Sequence, residues 1–323
     1  MQIRLFDLDH ENPEKLWRLF REVYGTDENA RKRWAWEINQ HPFKDRIRIH
    51  IADEEGAIVG MTIRLPIQLV TDDTEQHAEF AVNTMVHPDY RRHGLVKTLY
   101  RQAIEEGNLQ LSKGTMPAMV RQLESMGYHD ITAPKTLVFL LSPFRWMYQK
   151  LTKKNLVFPW SRTKNLPHNY ALIDEFTHIP EEVSCEARLS SFRSTKYLNW
   201  RYKAIPHRKY ECYAHFSGTK TVGWFVLRMA GTTAYLVDLS WIPAEETASN
   251  LITAAMQAAR NHNAIKMVYW GTLHTLNQEM KRHGAFERPA VPGFRFIARN
   301  EYWNEFRWEN AHFVQGDGDY DYL

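Results

Sequence analysis

Two arginines and a glycine, Arg91, Arg92 and Gly94, separate an alternating apolar run from an amphipathic one. The run from Phe80 to Val86 predicts a strand, and the run from Gly94 to about Glu106 predicts a helix. A strand that opens through a basic, glycine-containing turn into a helix leaves the first backbone N–H groups of that helix without intrahelical partners. Those donors, the positive end of the helix dipole and nearby cationic side chains together attract phosphate. Gly94 has no Cβ and lets the backbone approach a ligand closely. The same residues can form an ordinary solvated basic turn, so the elements around them must decide.

Ile3 to Phe6 alternates and predicts a first strand. Leu16, Leu19, Phe20 and Val23 recur at helical spacing between Asp9 and Tyr24. A second helix from about Asp27 to Gln40 carries Trp34 and Trp36 before His41-Pro42 ends it. Arg46 to Ala52 alternates strictly, Glu54-Glu55-Gly56 turns the chain, and Ala57 to Val70 returns. His77 to Val86 leads into the loop. Asn108 to Ser112 predicts a short strand, Pro117 opens a helix ending at Met126-Gly127-Tyr128, and Thr136 to Leu141 predicts a closing strand.

With that order in place, the stretch from Val86 to Tyr100 resembles the GNAT family of acyl-CoA-dependent N-acyltransferases. The family signature is a strand ending in Val-x-Pro-x-Tyr-Arg, then Arg/Gln-x-x-Gly-x-Gly/Ala at a helix start. Val86, Pro88, Tyr90, Arg91, Arg92, His93, Gly94 and Leu99 match it. Met126-Gly127-Tyr128 resembles the family's Leu-Gly-Phe ending of the late helix. The resemblance implies that the backbone of Thr84, Met85 and Val86 holds the pantetheine arm and thioester. It implies also that Arg91, Arg92, His93, Gly94, Leu95, Val96, Lys97 and Thr98 form the pyrophosphate loop of acetyl-CoA or another acyl-CoA. Val96 departs, standing where the family prefers Gly or Ala; its bulk is expected to crowd the pyrophosphate, with Lys97 compensating.

The second half repeats the plan. Arg208 to Phe216 and Lys220 to Met229 predict a hairpin across Ser217-Gly218, and Thr233 to Trp241 a third strand. Ala244 to Asn261 predicts a long helix, Ile265 to Trp270 a strand, Asn277 to His283 a helix ending in Gly284-Ala285-Phe286, and Phe294 to Ala298 a closing strand. Here Trp241-Ile242-Pro243-Ala244-Glu245-Glu246-Thr247 replaces the phosphate loop, and its carboxylates would repel a pyrophosphate. The expected fold class is α/β of the α+β type: two GNAT-like lobes, each a mixed, mostly antiparallel sheet flanked by helices. The expected division is an acyl-CoA-binding domain 1–142, a basic aromatic connector 143–194 and a degenerate lobe 195–323. In the connector, Phe144 to Leu151 predicts a basic aromatic helix, followed by Lys153-Lys154 and Arg162-Thr163-Lys164. It is either a solvated linker pinned by its aromatics or a surface for an acidic substrate, carrier protein or membrane face. Next, Lys196 to Tyr202 looks like a motif of bacterial proteins with paired GNAT-like lobes. Its Trp200, Arg201 and Tyr202 supply stacking faces and a guanidinium for a polar or anionic substrate, or else pack against the second lobe.

At 323 residues, 44% hydrophobic and 24% charged, the chain is long enough for two folded lobes. A net charge of +3 lacks the dense basic stripe of a nucleic-acid binder. The two cysteines, Cys185 and Cys212, make neither a disulfide framework nor a metal set, and reduced, buried thiols in a cytoplasmic protein are expected. The chain start reads as a strand rather than a leader, and no apolar run reaches bilayer-spanning length. Asp317, Asp319 and Asp321 lack the rest of a calcium loop, so a frayed acidic tail, or an extended edge with its end near a cleft, is expected there and no metal. A monomer or homodimer acting on a small-molecule amine, with no nucleic-acid partner, fits these numbers.

Acyl transfer from a thioester to an amine needs an oriented thioester, a base and a donor for the developing oxyanion. The resemblance puts a base on the strand before the loop, where Glu79 stands seven residues before Val86. It also puts a Tyr general acid four residues before the late helix's terminal Gly, where this chain has Leu123, and Met280 in the second lobe. Either the thiolate leaves without a proton donor, or Tyr128 or another group substitutes, or the protein is slow or inactive. The expected function is transfer of an acyl group, acetyl above all, to the primary amine of a small polar metabolite such as an amino sugar or amino acid. The alternatives are a binding or assembly protein that has lost catalysis, and a tandem-lobe aminoacyl- or acyl-carrier-dependent transferase.

Overall fold

The structure, a computed structural model, describes residues 1–71, 75–106, 109–113, 117–132, 134–154, 165–167, 169–179, 187, 189–243, 245–289, 296–299 and 311–317. Alternation of apolar and polar residues lays down the first antiparallel run: β1 (Gln2–Leu5), β2 (Arg48–Glu54), β3 (Ala57–Thr71) and β4 (Glu75–Val86). Between β1 and β2 come α1 (Glu14–Tyr24) and α2 (Glu28–Trp34), the latter widening into a π turn over Ala35–Asn39. α1 buries Leu16, Trp17, Leu19 and Phe20, one helix face, against the sheet and stops at Gly25 with φ 75°. The helix expected from Asp9 starts five residues later, at Glu14 after Pro13. Asp7 takes the backbone N–H groups of Asp9 and His10 into a turn instead.

Past β4 come α3 (Leu95–Glu105), β5 (Leu109–Lys113), α4 (Pro117–Glu124), β6 (His129–Thr132) and β7 (Lys135–Leu140). α5 (Pro143–Thr152) leaves Phe144, Met147 and Leu151 exposed and reaches the second lobe through Gln149 on Thr232 at 3.5 Å. β8 (Tyr170–Ile173), β9 (Leu189–Ser191) and α6 (Thr195–Tyr202) precede the second antiparallel run: β10 (Glu211–Ser217), β11 (Lys220–Ala230) and β12 (Thr233–Trp241). Then follow α7 (Ala248–Asn261), β13 (Lys266–Gly271), α8 (His274–Arg282), β14 (Phe286–Arg288), β15 (Phe296–Arg299) and β16 (Ala311–His312). No helix of the described residues is long and apolar enough to cross a membrane.

The two sheets exchange strands. The first runs β1-β2-β3-β4-β5-β15-β6, with β9 on the far end of β3 and β16 on β9; the second runs β14-β7-β13-β12-β11-β10-β8. The expected closing strand of 1–142 therefore sits in the second sheet, and that of 195–323 in the first. Each inserts between the parallel strand of the other lobe and the strand after its late helix. Alternation explains why this was not read: it says which face of a strand is buried, not against which sheet. β7 buries Leu137 and Phe139 with Met267 and Tyr269 of β13, in a core distinct from the one between α1 and the first sheet. Pro134, which has no N–H, stands immediately before β7 and suits the start of a strand.

Candidate active site

The loop between β4 and α3 makes a short 3-10 turn over Pro88–Tyr90, which His87 caps by accepting from the Asp89 N–H. Arg91 donates from Nε to the Val86 carbonyl at 3.2 Å, holding the loop against the strand end. Arg92 and Gly94 turn left-handed, at φ 69° and 73°. A Cβ on Gly94 would meet nothing within 4 Å, so the glycine serves the backbone turn and leaves the space above it open. α3 begins with no capping side chain and no acidic residue in its first turn. Arg91, Arg92, His93, Lys97 and Thr98 are exposed around that start, and Leu95 is buried beneath it. Uncapped N–H groups, a positive helix end and exposed cations are what a pyrophosphate needs. Val96 is half-buried and packs against both hydrophobic clusters under α3, beside Val59 and Leu99 on one side and Tyr100 and Val120 on the other. Its bulk goes into the core beneath the helix.

The equivalent start of α7 is closed. Thr247 caps it by accepting from the Asn250 N–H, and Glu246 is buried there, accepting from the Thr247 N–H at 2.7 Å and from Asn250 at 3.0 Å, with Tyr170 and His215 also on it. A cavity of about 300 Å³ remains beside it, lined by Thr247, Ser249, Glu279 and Arg282. A buried carboxylate thus takes the N–H groups at this helix start that an anion would otherwise meet.

β4 carries a bulge. Ile63 pairs with Val82 and Met61 with Met85, so Thr62 alone faces Asn83 and Thr84, and Asn83 takes φ 49°. The Asn83 side-chain amide oxygen accepts from Arg33 of α2 at 3.4 Å. The Thr84 hydroxyl lies 2.8 Å from that of Thr62 and 3.2 Å from that of Tyr100. The parallel pairing of β4 and β5 runs from Ala78–Leu109 to Phe80–Leu111. Ala81 to Val86 continue past it, and the strands part beside the loop. The half-exposed Thr84 and the buried Met85 and Val86 thus lie between the parting and the loop.

Beneath α3 the sheet carries a buried polar row. β2 supplies His50, with the half-buried Arg48 at its edge, β3 Thr62 and Arg64, β4 Glu79, and β5 Gln110. Glu79 is 4% exposed, 3.7 Å from Arg48, which also holds Glu106 just past the end of α3. Its face, open in the sequence, is the α3 side. Leu123 is fully buried with Tyr100, Val120 and Tyr128, and the Tyr128 hydroxyl donates to Gln110. Burial raises the Tyr128 pKa well above its ordinary value, so the phenol stays protonated. Sequence reasoning missed Arg48, Thr62, Arg64 and Tyr100. The signal available was a charge at alternate positions of two otherwise apolar strands.

Trp200, Arg201 and Tyr202 lie at the lobe junction, all buried. Trp200 stacks on Trp36 at 4.8 Å and 10°, and each indole N–H donates to the other residue's carbonyl, at 2.7 and 2.8 Å. Arg201 donates to the Gly316 carbonyl at 2.9 Å and Tyr202 to Asp238 at 2.7 Å. Arg193 bridges Asp238 and Asp317, each at 3.0 Å, and Ser191 donates to Asp317. Asp317, expected in a frayed acidic tail or an extended edge, is thus a buried ion-pair partner; Asp319 and Asp321 lie outside the described residues, as does Cys185. Cys212 is buried and free, its thiol pKa pushed by burial up to about 12. Among the described residues no group of acidic, histidine or cysteine side chains is arranged to hold a metal.

Comparison with known proteins agrees with this geometry. The acetyltransferase (GNAT) domain family matches residues 7–130, from α1 to β6. A probable N-acyltransferase from Enterococcus faecalis superposes with a TM-score of 0.62 at 13% identity, covering 93% of this chain and 73% of that one. A GCN5-related N-acetyltransferase from Anabaena variabilis gives 0.58 at 12% identity, covering 92% and 72%. The Saccharomyces cerevisiae N-myristoyltransferase with bound myristoyl-CoA gives 0.52 at 13%, covering 92% and 81%. At such identities the likeness speaks for the fold. No curated protein matches the sequence. Residues 7–130 belong to the GNAT acetyltransferase domain family, set in a chain of two GNAT-like lobes with the coenzyme A motif in the first. The class that this domain and fold define is the acyl-CoA-dependent N-acyltransferase.

Proposed function

We propose that this protein transfers an acyl group, acetyl above all, from coenzyme A to the primary amine of a small polar metabolite such as an amino sugar or amino acid. The observation that carries the reading is the uncapped, left-handed glycine start of α3 beside the parting of β4 and β5. Arg91, Arg92 and Lys97 with the N–H groups of Leu95 to Thr98 hold the pyrophosphate. The backbone from Thr84 to Val86, freed from β5, holds the thioester and offers an N–H to the developing oxyanion. The amine attacks the thioester carbonyl, its proton passes to a base, and the thiolate leaves as coenzyme A.

Glu79 is our candidate base, 3.7 Å from Arg48, with the hydroxyls of Thr62, Thr84 and Tyr100 farther along the sheet. Trp200, Arg201 and Tyr202 close the wall between the lobes on the acceptor side. An acyl-CoA donor places the reaction in the cytoplasm. The test is thermal denaturation with acetyl-CoA, paired with thiol release across amino sugars and amino acids. Acetyl-CoA should raise the melting temperature of the wild type but not of Gly94→Asp. Glu79→Gln should keep the shift and lower turnover roughly 10²–10⁴-fold. The buried Leu123, an aliphatic group where a proton donor would serve the leaving thiolate, favours a second reading: an acyl-CoA-binding protein without catalysis. A clear thermal shift with no thiol release across the panel would establish it.

A further inference from the structure

Arg64 is a cation with no carboxylate on it among the described residues. It is fully buried on β3, and its guanidinium meets only the neutral Tyr128 phenol, at the edge of hydrogen-bonding reach. Among the described residues the carboxylates of the polar row engage Arg48 instead, Glu79 at 3.7 Å and Glu106 closer. The Tyr100 ring centre lies 4.2 Å from the Arg64 guanidinium carbon, and the Tyr128 phenol is close enough to feel the charge. His50 beside it is neutral, its pKa pushed by burial, Arg64 and Arg48 to about 4. Aromatic faces, one phenol oxygen and the more distant carboxylates soften the field of a buried guanidinium, but none of them is a charged acceptor on its N–H groups. A buried charge without an opposite charge on it is strongly unfavourable. It is understandable where a bound ligand supplies the acceptor.

The strand neighbours show where such a ligand enters. Arg64 pairs in register with Ala81 of β4, a half-exposed residue whose side chain is a methyl group. Ala81 is also the first residue of β4 beyond its last pair with β5, Phe80–Leu111. The parting thus lies on the far side of β4, one strand spacing of about 4.8 Å from β3, across a residue whose side chain is only a methyl group. A planar fork of N–H donors matches a carboxylate with two parallel hydrogen bonds. We infer that Arg64 is a specificity residue that recognises a carboxylate on one of the two reactants. That carboxylate is either the distal one of a dicarboxylic acyl group or the α-carboxylate of an amino-acid acceptor. The inference rests on the acyltransferase reading above.

The experiment compares wild type, Arg64→Met and Arg64→Lys in two arms. In the first, succinyl-CoA is set against acetyl-CoA by thermal shift and thiol release. In the second, with acetyl-CoA as donor, each of a panel of amino acids is set against the amine lacking its carboxylate. Wild type should prefer the carboxylate-bearing member in one arm by roughly 10–100-fold, the worth of hydrogen bonds to a charged group. The arm that shows it names the source. Arg64→Met should abolish that ratio while the ligand-free protein melts no lower, because an apolar side chain replaces an unsatisfied charge. Arg64→Lys, which keeps the charge without the fork, should fall between. A wild type without preference in either arm, or an Arg64→Met protein that keeps it, overturns the inference and leaves the acyltransferase reading standing if acetyl-CoA still binds. A protein that no acyl-CoA stabilises overturns both.

Discussion

Val96 shows how a residue read by family habit differs from the same residue read by its contacts. By signature it is an intruder at the pyrophosphate; in the fold it packs beneath α3 against two apolar clusters. Val96→Gly should therefore lower stability by about 2–3 kcal/mol, from lost burial and the entropy of a helical glycine. It should not tighten acetyl-CoA binding; tighter binding at unchanged melting temperature would restore the crowding interpretation. Histidines give a second residue-scale expectation. His41 and His312 are buried with pKa values pushed by desolvation to about 3, and His50 to about 4. Each folded value lies below the unfolded one near 6.5, so their contribution is complete above that pH and is lost as pH falls toward the folded values. Below pH 6.5 each approaches a loss of about 1.4 kcal/mol per pH unit. The denaturant midpoint should drop steeply between pH 6.5 and 5, and a flat profile would mean that these rings are already charged in the fold. The basic turn into a helix between β4 and α3 was legible because glycine and arginine identity marks it. Arg64 was not, since nothing in Thr62-Ile63-Arg64-Leu65 says that the arginine faces inward without a carboxylate on it.

The last described segment, 311–317, acts as an element although little of it is regular. His312 pairs with Ser190 of β9, Val314 bridges Gly271 at the end of β13, and Asp317 closes on Arg193. It thereby ties an edge of the first sheet to the centre of the second. Gly316 makes the fit possible: a Cβ there would stand 1.9 Å from the Tyr202 hydroxyl and 3.0 Å from the Val237 carbonyl. Neither neighbour can simply move, since Tyr202 is held by Asp238 and the Val237 carbonyl accepts from the Gly316 N–H at 2.8 Å. Gly316→Ala should cost about 1–3 kcal/mol, the range for overpacked sites, read as a lower melting temperature of the whole chain. A neutral result would mean that the segment is loosely seated. Composition favoured a frayed acidic tail because aspartates are usually solvated; pairing with arginines more than a hundred residues distant is invisible to local pattern. The β4 bulge was equally hidden, because it depends on the register against β3.

At the scale of the molecule, the strand exchange decides what counts as a folding unit. The sequence supports two lobes divided near 142, and the order of elements in each half was readable from period and turn chemistry. Yet each sheet is completed by a strand from the other half of the chain: β15 fills the place between β5 and β6, and β7 the place between β13 and β14. Residues 1–142 alone would leave β5 and β6 facing an empty position, with unpaired N–H and carbonyl groups along both, and would carry β7 with its buried face uncovered. Residues 195–323 alone would lack β7, the neighbour of both β13 and β14, and would expose the apolar face that Leu137 and Phe139 cover. Neither half should fold in isolation, although the family match ends at 130. Expressed separately, 1–142 and 143–323 should aggregate or remain unfolded by circular dichroism; co-expressed, they should purify together and bind acetyl-CoA. The intact chain should unfold in one cooperative transition, with calorimetric and van't Hoff enthalpies equal. A soluble 1–142 fragment that binds acetyl-CoA would show that the first lobe closes without β15 and that the exchange is dispensable to the site. The expected failure of that fragment has a functional meaning. The parting of β4 and β5 exists only while β5 is held on its other side, and β15, the strand that holds it, comes from the far end of the chain.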